Sequence, residues 1–297
     1  MSWPFSTLDK IVVVTGGGSG IGLSYAVLAA ANGAKSVIIG DIELTDEAQK
    51  VVAKTTNLTF QHCDVTQWAD SQRLIDVCIT KFGDVPDIYV ASAGVFEPPY
   101  SNFWDDPEPL ESNGYKHVDI NVNHPIKFTR LAMRALLGKQ KQGVVALVSP
   151  LLDTASSIQL PSIAQLNMPW LGLRGVWAIH RGSKASRSIC PGIVSTPIWT
   201  TGTPGSGERF GIIEDISITP KVVAKTIREG IESPEYPGGT ILEVSKLGTR
   251  VVPEWFIQPP GMVDGKMPEG TDVPEHMIVK SLEPIMSVTE RERGKMA

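Results

Sequence analysis

The most constraining feature of the sequence is a regular alternation over its first 150 residues. Short runs rich in β-branched residues end in Gly, Asp or Ser, and longer stretches with helical spacing separate them. Unbroken apolar strands separated by helices are typical of a parallel sheet covered on both faces. The pattern predicts an α/β fold with a single doubly wound parallel sheet and helices on both faces. The predicted strands lie at 11–16, 36–41, 58–64, 87–94 and 144–149, and the helices at about 20–33, 44–54, 67–82 and 113–138.

The second half of the chain has a weaker pattern. Residues 151–190 contain two prolines between 151 and 170 and no strong helical face. Residues 253–275 contain many prolines and glycines, which is typical of irregular structure. We expect one doubly wound domain over 1–252 and an irregular C-terminal tail over 253–297. Between these stretches, the sequence predicts an ordered segment, a helix and a last strand at 188–199, 219–233 and 238–245.

The composition and net charge indicate which classes of protein this chain can belong to. Apolar residues make up 42% of the chain and charged residues 20%, which is typical of a globular protein. The net charge of −5 argues against a nucleic-acid or anionic-membrane partner. The three cysteines form no CxxC or Cys/His cluster, so we expect no metal site and no disulfide framework. Because no signal peptide or long apolar span is evident, we expect a cytoplasmic protein.

A glycine-rich segment, VTGGGSGIG at 14–22, lies between the first predicted strand and the first helix. Glycines there permit positive φ and let the backbone approach a pyrophosphate closely. The helix N-terminus offers free N–H groups and a partial positive charge to the anion. The alternative is a glycine-rich turn without a ligand. The segment predicts a dinucleotide diphosphate site at Gly16, Ser19, Gly20, Ile21 and Gly22.

Asp41 ends the second predicted strand, near the spacing at which an acidic residue meets the ribose of a bound dinucleotide. A carboxylate accepts hydrogen bonds from both ribose hydroxyls and repels a 2′-phosphate. The residue therefore favours NAD as the cofactor, with NADP as the weaker alternative. The competing interpretation is that Asp41 caps the following helix.

The segment TGGGSGIG at 15–22 resembles the TGxxxGxG motif of the short-chain dehydrogenase/reductases. Further similarities follow in the family's order over roughly residues 9–255. ASAG at 91–94 resembles the family's NNAG, and PGIVST at 191–196 resembles its PGxVxT. The ending GGTILEVSKLGTRVVPEW is similar to fungal members near the 15-hydroxyprostaglandin dehydrogenase branch. The resemblance implies a Rossmann-fold oxidoreductase that uses NAD(P), acts on a small molecule and commonly forms dimers or tetramers.

The same resemblance implies roles for individual residues. Asp64 matches the carboxylate that reaches the adenine amino group, and Asn121 matches the amide that holds a water for the proton relay. Arg130 lies where the same helix often carries a basic residue, and we expect it to bind the cofactor. Val194 and Thr196 match the segment that meets the nicotinamide carboxamide. Each of these residues also has an ordinary structural interpretation, such as a cap, a buried amide or a solvated helix face.

The catalytic pattern of the family is incomplete in this chain. Family members use a Tyr as general acid/base, a Lys four residues later that lowers the Tyr pKa and holds the ribose, and a Ser that orients the substrate oxygen. No tyrosine lies in the corresponding window, so YxxxK is absent. The five tyrosines are Tyr25, Tyr89, Tyr100, Tyr115 and Tyr236.

Two alignments compete for this gap. In the first, Ser157 takes the serine role, and Trp170 and Arg174 stand where the family has Tyr and Lys. Trp170 cannot exchange a proton because the indole N–H is only a donor. Arg174 stays cationic and could still hold ribose hydroxyls.

In the second alignment, the segment HRGSK stands for YxxSK and begins and ends at His180 and Lys184. His180 has a suitable pKa for acid/base work, although a surface position in a basic stretch is the simpler interpretation. Lys184 lies only seven residues before Pro191, which is short for the family's helix. Ser149, at the end of the fifth strand, is a further serine candidate. The 151–190 stretch is either an altered active site or the product of a misread exon boundary.

Two functions therefore remain open at this point. The first is an NAD(P)-dependent oxidoreductase that interconverts a secondary alcohol and a ketone on a small apolar metabolite, with the fungal similarity suggesting secondary metabolism. Phe103, Trp104 and Trp199 are candidate pocket aromatics. The second is a cofactor-binding pseudoenzyme, or a member adapted to a non-redox task, that lacks the Tyr general acid/base. A homo-oligomer is expected in either case.

Overall fold

A computed structural model describes residues 5–96, 98–102, 105–149, 186–199, 217–252 and 275–295. Within these residues, eight strands form one sheet in the order β3-β2-β1-β4-β5-β6-β7-β8. Neighbouring strands from β3 to β7 are parallel, and β8 pairs antiparallel with β7. The predicted doubly wound α/β sheet is confirmed. The strands are β1 (Ile11–Thr15), β2 (Ser36–Asp41), β3 (Leu58–His62), β4 (Ile88–Ala91), β5 (Val144–Val148), β6 (Arg187–Pro191), β7 (Ile241–Ser245) and β8 (Gly248–Val251).

Helices connect the strands, and a π-helical turn, Asp119–Asn123, interrupts the helical segment that follows β4. The sequence pattern placed one helix over 113–138, and the structure divides it at this turn. No helix among the described residues is long and apolar enough to cross a membrane. The helices are α1 (Gly20–Ala31), α2 (Asp46–Lys54), α3 (Trp68–Phe82), α4 (Lys116–Val118), α5 (His124–Gly138), α6 (Pro220–Glu232) and α7 (Glu275–Glu292).

The hydrophobic core lies on both faces of the sheet. On one face, alternate strand residues such as Val12 and Val14 pack with α1 and α6. On the other face, residues such as Val13 pack with α3 and α5, where Leu74 and Phe128 are fully buried. Because both faces are covered, successive residues of β1 are all buried, and this explains why the strands are continuous apolar runs.

The C-terminal region departs from the sequence prediction of an irregular tail. Helix α7 forms there even though it contains Pro284, which removes one backbone donor. Its last turn packs on α5: Thr289 is buried, and Gly294 N–H donates to the Leu137 carbonyl at 3.1 Å. The prediction of an irregular tail rested on the Pro- and Gly-rich residues 253–275, whereas this helix extends beyond them and is held by its contact with α5.

Candidate cofactor and active site

The carboxyl ends of the parallel strands meet where the order of the sheet reverses. β1 pairs with β2 on one side and with β4 on the other, so the chain moves in opposite directions from this point. In open α/β sheets, ligands bind in the crevice outside the carboxyl ends of the strands at such a switch point. The glycine loop after β1 and the segment after β4 border this crevice directly.

Glycine is required at three positions of the loop because other backbone atoms lie where a Cβ would be. A Cβ on Gly16, whose φ is +67°, would lie 2.4 Å from Ala93 N. A Cβ on Gly18 would lie 2.1 Å from the Glu43 carbonyl oxygen, and one on Gly22 would lie 2.2 Å from the Gly16 carbonyl oxygen. The backbone of the loop therefore packs directly against the segment after β4 and against the segment after β2, with no side chain between them.

The start of α1 provides donors for an anion. Ser19 is the N-cap, and its side chain makes no capping hydrogen bond. The Leu23 N–H donates to the Ser19 carbonyl at 3.0 Å, so the N–H groups of Gly20, Ile21 and Gly22 have no partner within the helix. Free donors, the helix dipole and close backbone packing together fit a diphosphate group.

Asp41 lies beside this loop and is bound to it. Its Oδ2 accepts from Gly18 N–H at 2.8 Å, and its Oδ1 accepts from Ile42 N–H at 2.7 Å. A carboxylate has about four acceptor sites, so capacity remains for ribose hydroxyls. The cap of α2 is Thr45, which accepts from Ala48 N–H. The alternative interpretation of Asp41 as a helix cap is therefore wrong.

Cofactor affinity is expected to depend on pH through Asp41. Burial raises the pKa of Asp41, although backbone hydrogen bonds act in the opposite direction. The ionised carboxylate therefore destabilises the folded state, and this destabilisation is lost as pH falls through the raised pKa. Protonation would remove acceptor capacity that the predicted contact with ribose hydroxyls requires. We expect NAD affinity to fall on mild acidification, at higher pH than for an ordinary Asp, as measured by tryptophan-fluorescence titration.

The Asp41→Asn variant should bind more weakly and without this dependence, and an unchanged pH profile in that variant contradicts the expectation.

Asn121 lies in the π-helical turn and holds the segment after β4. Its Oδ1 accepts from Val95 N–H at 2.9 Å, and its Nδ2 donates to the Val95 carbonyl at 2.8 Å. Asp64 lies in the turn before α3, where its Oδ1 accepts from the N–H and hydroxyl of Thr66. Both side chains are thus fixed by local contacts, and their roles toward a water and an adenine stay predictions.

Val194 and Thr196 follow β6 and approach the start of α1. Val194 forms an isolated parallel bridge with Ile218. A Cβ on Gly20 would lie 3.1 Å from Thr196 Cγ2, so Thr196 packs against the first turn of α1. Thr196 therefore lies beside the glycine loop, and the contact of Val194 and Thr196 with a nicotinamide carboxamide stays a prediction.

Arg130 has a different environment from the one expected for a cofactor ligand. Its guanidinium forms a bidentate ion pair with the carboxylate of Glu292 in α7, in which Arg130 Nη1 lies 3.0 Å from Glu292 Oε2. The same guanidinium lowers the pKa of the Glu292 carboxyl. The structure therefore commits Arg130 to the contact between α5 and α7 and gives no support to the predicted cofactor contact.

The competing catalytic candidates lie outside the described residues, and so do Phe103 and Trp104. These candidates are Ser157, Arg174, His180 and Lys184. Ser149 is described: it is buried directly after β5, and its N–H donates to the Ile189 carbonyl at 3.0 Å. It therefore lies at the carboxyl end of the sheet, where a serine role would require it.

The five tyrosines are all described, and none has a lysine four residues later. Tyr25 and Tyr89 are fully buried in the two cores, and burial raises the pKa of both hydroxyls. Tyr115 donates to Asp106 Oδ1 at 2.9 Å. Tyr100 stacks with the Lys116 ammonium, and Tyr236 contacts a buried arginine through its carbonyl oxygen.

Two residues of the site were missed by sequence reasoning. The Phe96 ring lies 4.5 Å from the Trp199 ring, centroid to centroid, which brings together the segments after β4 and β6. Thr45 contacts the Gly18 carbonyl through its hydroxyl and its N–H. The position of Phe96 two residues after ASAG was the available signal for the first residue, and a Thr before a polar helix turn was the signal for the second.

Comparisons with known proteins agree with this geometry. Short-chain dehydrogenase/reductase prx4 of Penicillium roqueforti is 32% identical over 166 residues, covering 55% of this chain and 47% of the relative. (+)-Borneol dehydrogenase 2 of Salvia officinalis is 34% identical over 152 residues, covering 50% of this chain and 51% of the relative. The chain thus spans about half the length of these curated relatives.

Solved structures share the fold at lower identity. A short-chain type dehydrogenase/reductase from Mycobacterium marinum has a TM-score of 0.66 at 19% identity, covering 81% of this chain and 95% of that chain. An Agrobacterium tumefaciens structure with bound NADP has a TM-score of 0.65 at 23% identity, covering 82% and 98%. A family model described as short chain dehydrogenase matches residues 10–161. The chain belongs to the short-chain dehydrogenase/reductase family.

Proposed function

We propose that this protein is a cytoplasmic NAD-dependent oxidoreductase that interconverts a secondary alcohol and a ketone on a small apolar metabolite. The observation that carries the proposal is the glycine loop at the start of α1, whose Gly18 N–H is bound by the Asp41 carboxylate at 2.8 Å. When bound, a nicotinamide cofactor supplies the hydride acceptor or donor. The relatives that match this chain include proteins named as dehydrogenases.

The choice of NAD rests on charge. The N–H groups of Gly20, Ile21 and Gly22 would hold the diphosphate, and the Asp41 carboxylate would accept from the ribose hydroxyls. A 2′-phosphate would bring further negative charge against the half-buried Asp41 carboxylate, which disfavours NADP. The structural neighbour with bound NADP is similar in fold only, at 23% identity, and does not weaken this argument.

The substrate side of the crevice has an apolar wall. Phe96 is buried, and its ring packs on Trp199. The Trp199 indole N–H donates to the Val194 carbonyl at 2.8 Å, so its polar atom is already bonded and its ring is left for apolar contact. This wall supports a small apolar substrate. The relatives named borneol dehydrogenase fit the same class, and one relative comes from the fungus Penicillium roqueforti.

Oxidation of an alcohol also needs a group that takes the hydroxyl proton. Ser149, at the carboxyl end of β5, would orient the substrate oxygen in this proposal, with Ser157 as the alternative. In the second alignment, His180 would be the proton acceptor, since histidine is a side chain type that exchanges protons near neutral pH. Arg174 or Lys184 would hold the ribose.

A second candidate function is a cofactor-binding protein without redox turnover. The specific observation in its favour is an intact diphosphate loop in a chain that has no YxxxK. The two candidates share the cofactor site and differ only in the proton relay. Turnover of an alcohol therefore separates them, whereas binding of the dinucleotide does not.

The test combines binding with turnover. Titration with NAD and NADP is expected to give tighter binding of NAD, and borneol with a panel of other apolar secondary alcohols is expected to produce reduced nicotinamide, detected by its near-ultraviolet absorbance. His180→Ala should lower turnover without changing NAD affinity. NAD binding without turnover across the panel favours the second candidate, and failure to bind either dinucleotide overturns both.

A further inference from the structure

The Gly18 residue of the diphosphate loop is held from two sides. On one side, its N–H donates to Asp41 Oδ2 at 2.8 Å. On the other side, its carbonyl oxygen accepts from Thr45 Oγ1 at 2.9 Å and from Thr45 N–H at 3.2 Å. Thr45 lies 27 residues further along the chain, at the N-cap of α2. A residue outside the glycine motif therefore fixes its central carbonyl.

Because Thr45 holds the Gly18 carbonyl in one direction, the direction of the Ser19 N–H donor is also held. The peptide group between Gly18 and Ser19 is planar and trans, so its C=O and N–H point in opposite directions. Because Thr45 binds the carbonyl oxygen, the Ser19 N–H must point away from α2. Hydrogen bonds to a carbonyl also polarise the amide and strengthen the N–H of the same peptide as a donor. The Thr45 hydroxyl thus acts on the peptide that leads into the first turn of α1.

We propose that Thr45 is a positioning residue for dinucleotide binding, which holds the diphosphate loop in its binding conformation through the Gly18 carbonyl. The proposal rests on the proposed cofactor site. A loop already ordered in the bound conformation loses less conformational entropy when the ligand arrives. Removal of the hydroxyl leaves the Gly18 carbonyl with the Thr45 N–H alone, so part of this ordering must then be supplied by the ligand.

A purely structural role must be separated from this positioning role. Thr45 also caps α2, because its Oγ1 accepts from Ala48 N–H at 3.3 Å, and loss of a cap alone would destabilise the helix. Lys50→Gly provides a matched control. Lys50 is exposed within α2, so glycine there weakens the helix to a similar degree without touching Gly18. Thr45→Ser keeps the hydroxyl and should keep both bonds.

The experiment measures the Kd of NAD and of ADP, which carries the diphosphate without nicotinamide, by calorimetry, and Tm by circular dichroism. We expect Thr45→Val to raise both Kd values about fivefold to tenfold, the size of one net hydrogen bond. Thr45→Ser should stay within about twofold of wild type. Lys50→Gly should lower Tm as much as Thr45→Val and leave both Kd values unchanged. Thr45→Ala gives the same comparison if valine packs poorly.

Each outcome separates the inference from the proposed function. Wild-type affinity in Thr45→Val overturns the inference alone, and so does an equal rise of Kd in Lys50→Gly. Wild-type protein that binds neither NAD nor ADP overturns the proposed function and this inference with it. A rise of Kd confined to Thr45→Val, with recovery in Thr45→Ser, supports it.

Discussion

Replacing Gly16 by Ala is expected to abolish strong dinucleotide binding, whereas replacing Gly83 by Ala is expected to leave it intact. The two glycines share a left-handed backbone, with φ of +67° and +71°, so the conformational cost of ~1–2 kcal/mol is common to both. Their surroundings differ. A Cβ on Gly16 would lie 2.4 Å from Ala93 N, and a Cβ on Gly83 would have nothing within 4 Å.

The collision at Gly16 cannot be relieved locally, because both sides are held by the sheet. Gly16 N–H donates to the Gly40 carbonyl at 2.8 Å, and Ser92 N–H donates to the Thr15 carbonyl at 3.1 Å. The loop must therefore move away from β4, and the donors at the start of α1 move with it. A displacement cost near the upper end of the ~1–3 kcal/mol expected for overpacking predicts a rise of the NAD Kd of about a hundredfold.

Calorimetric titration of both variants tests this prediction, with Tm measured in parallel. Gly83→Ala ends α3 with a strained residue far in sequence from the loop, so a modest loss of Tm with unchanged Kd is expected. Gly16→Ala should lose more Tm and nearly all affinity. Wild-type affinity in Gly16→Ala would show that the loop does not bind the diphosphate.

The fold was predictable because the sheet is covered on both faces. Every residue of β1 is buried, and its first four residues, IVVV, form a continuous apolar run. The edge strand β8 was not predicted, because all four of its residues are exposed and only Val251 is apolar. Helix α7 was missed for a related reason: the contact between Glu292 and Arg130 spans 162 residues, and no local pattern reports it.

The candidate site was predictable where its chemistry is local. The glycine loop is a contiguous motif, and Asp41 is the last residue of β2. Both can therefore be recognised from short segments of the sequence. Thr45 was not predicted because its hydroxyl serves two partners, and only the cap of α2 is visible in sequence. The pairing of Phe96 with Trp199 joins two loops that only the order of the strands brings together.

Replacing Asn121 by Asp is expected to destabilise the protein by about 2–3 kcal/mol at neutral pH. The amide now pairs with both polar groups of Val95. A carboxylate still accepts from Val95 N–H, but its second oxygen faces the Val95 carbonyl, and two acceptors repel. Val95 directly precedes Phe96 of the proposed apolar wall, so we expect the crevice to loosen and the proposed turnover of an apolar alcohol to fall with stability.

The pH dependence of this variant identifies the cause. Repulsion from the Val95 carbonyl raises the folded-state pKa of the introduced carboxyl, so the destabilisation is present above that pKa and is lost as pH falls through it. The protonated carboxyl can then donate to the Val95 carbonyl as the amide does. Asn123→Asp is the control, since Asn123 is exposed in the same turn and its amide donates to Asp119. The repulsion between the two exposed carboxylates is screened by solvent and should cost less than about 1 kcal/mol. Urea unfolding at neutral and acidic pH measures both variants, and an Asn121→Asp deficit that does not shrink in acid would mean that the two bonds to Val95 do not hold this segment.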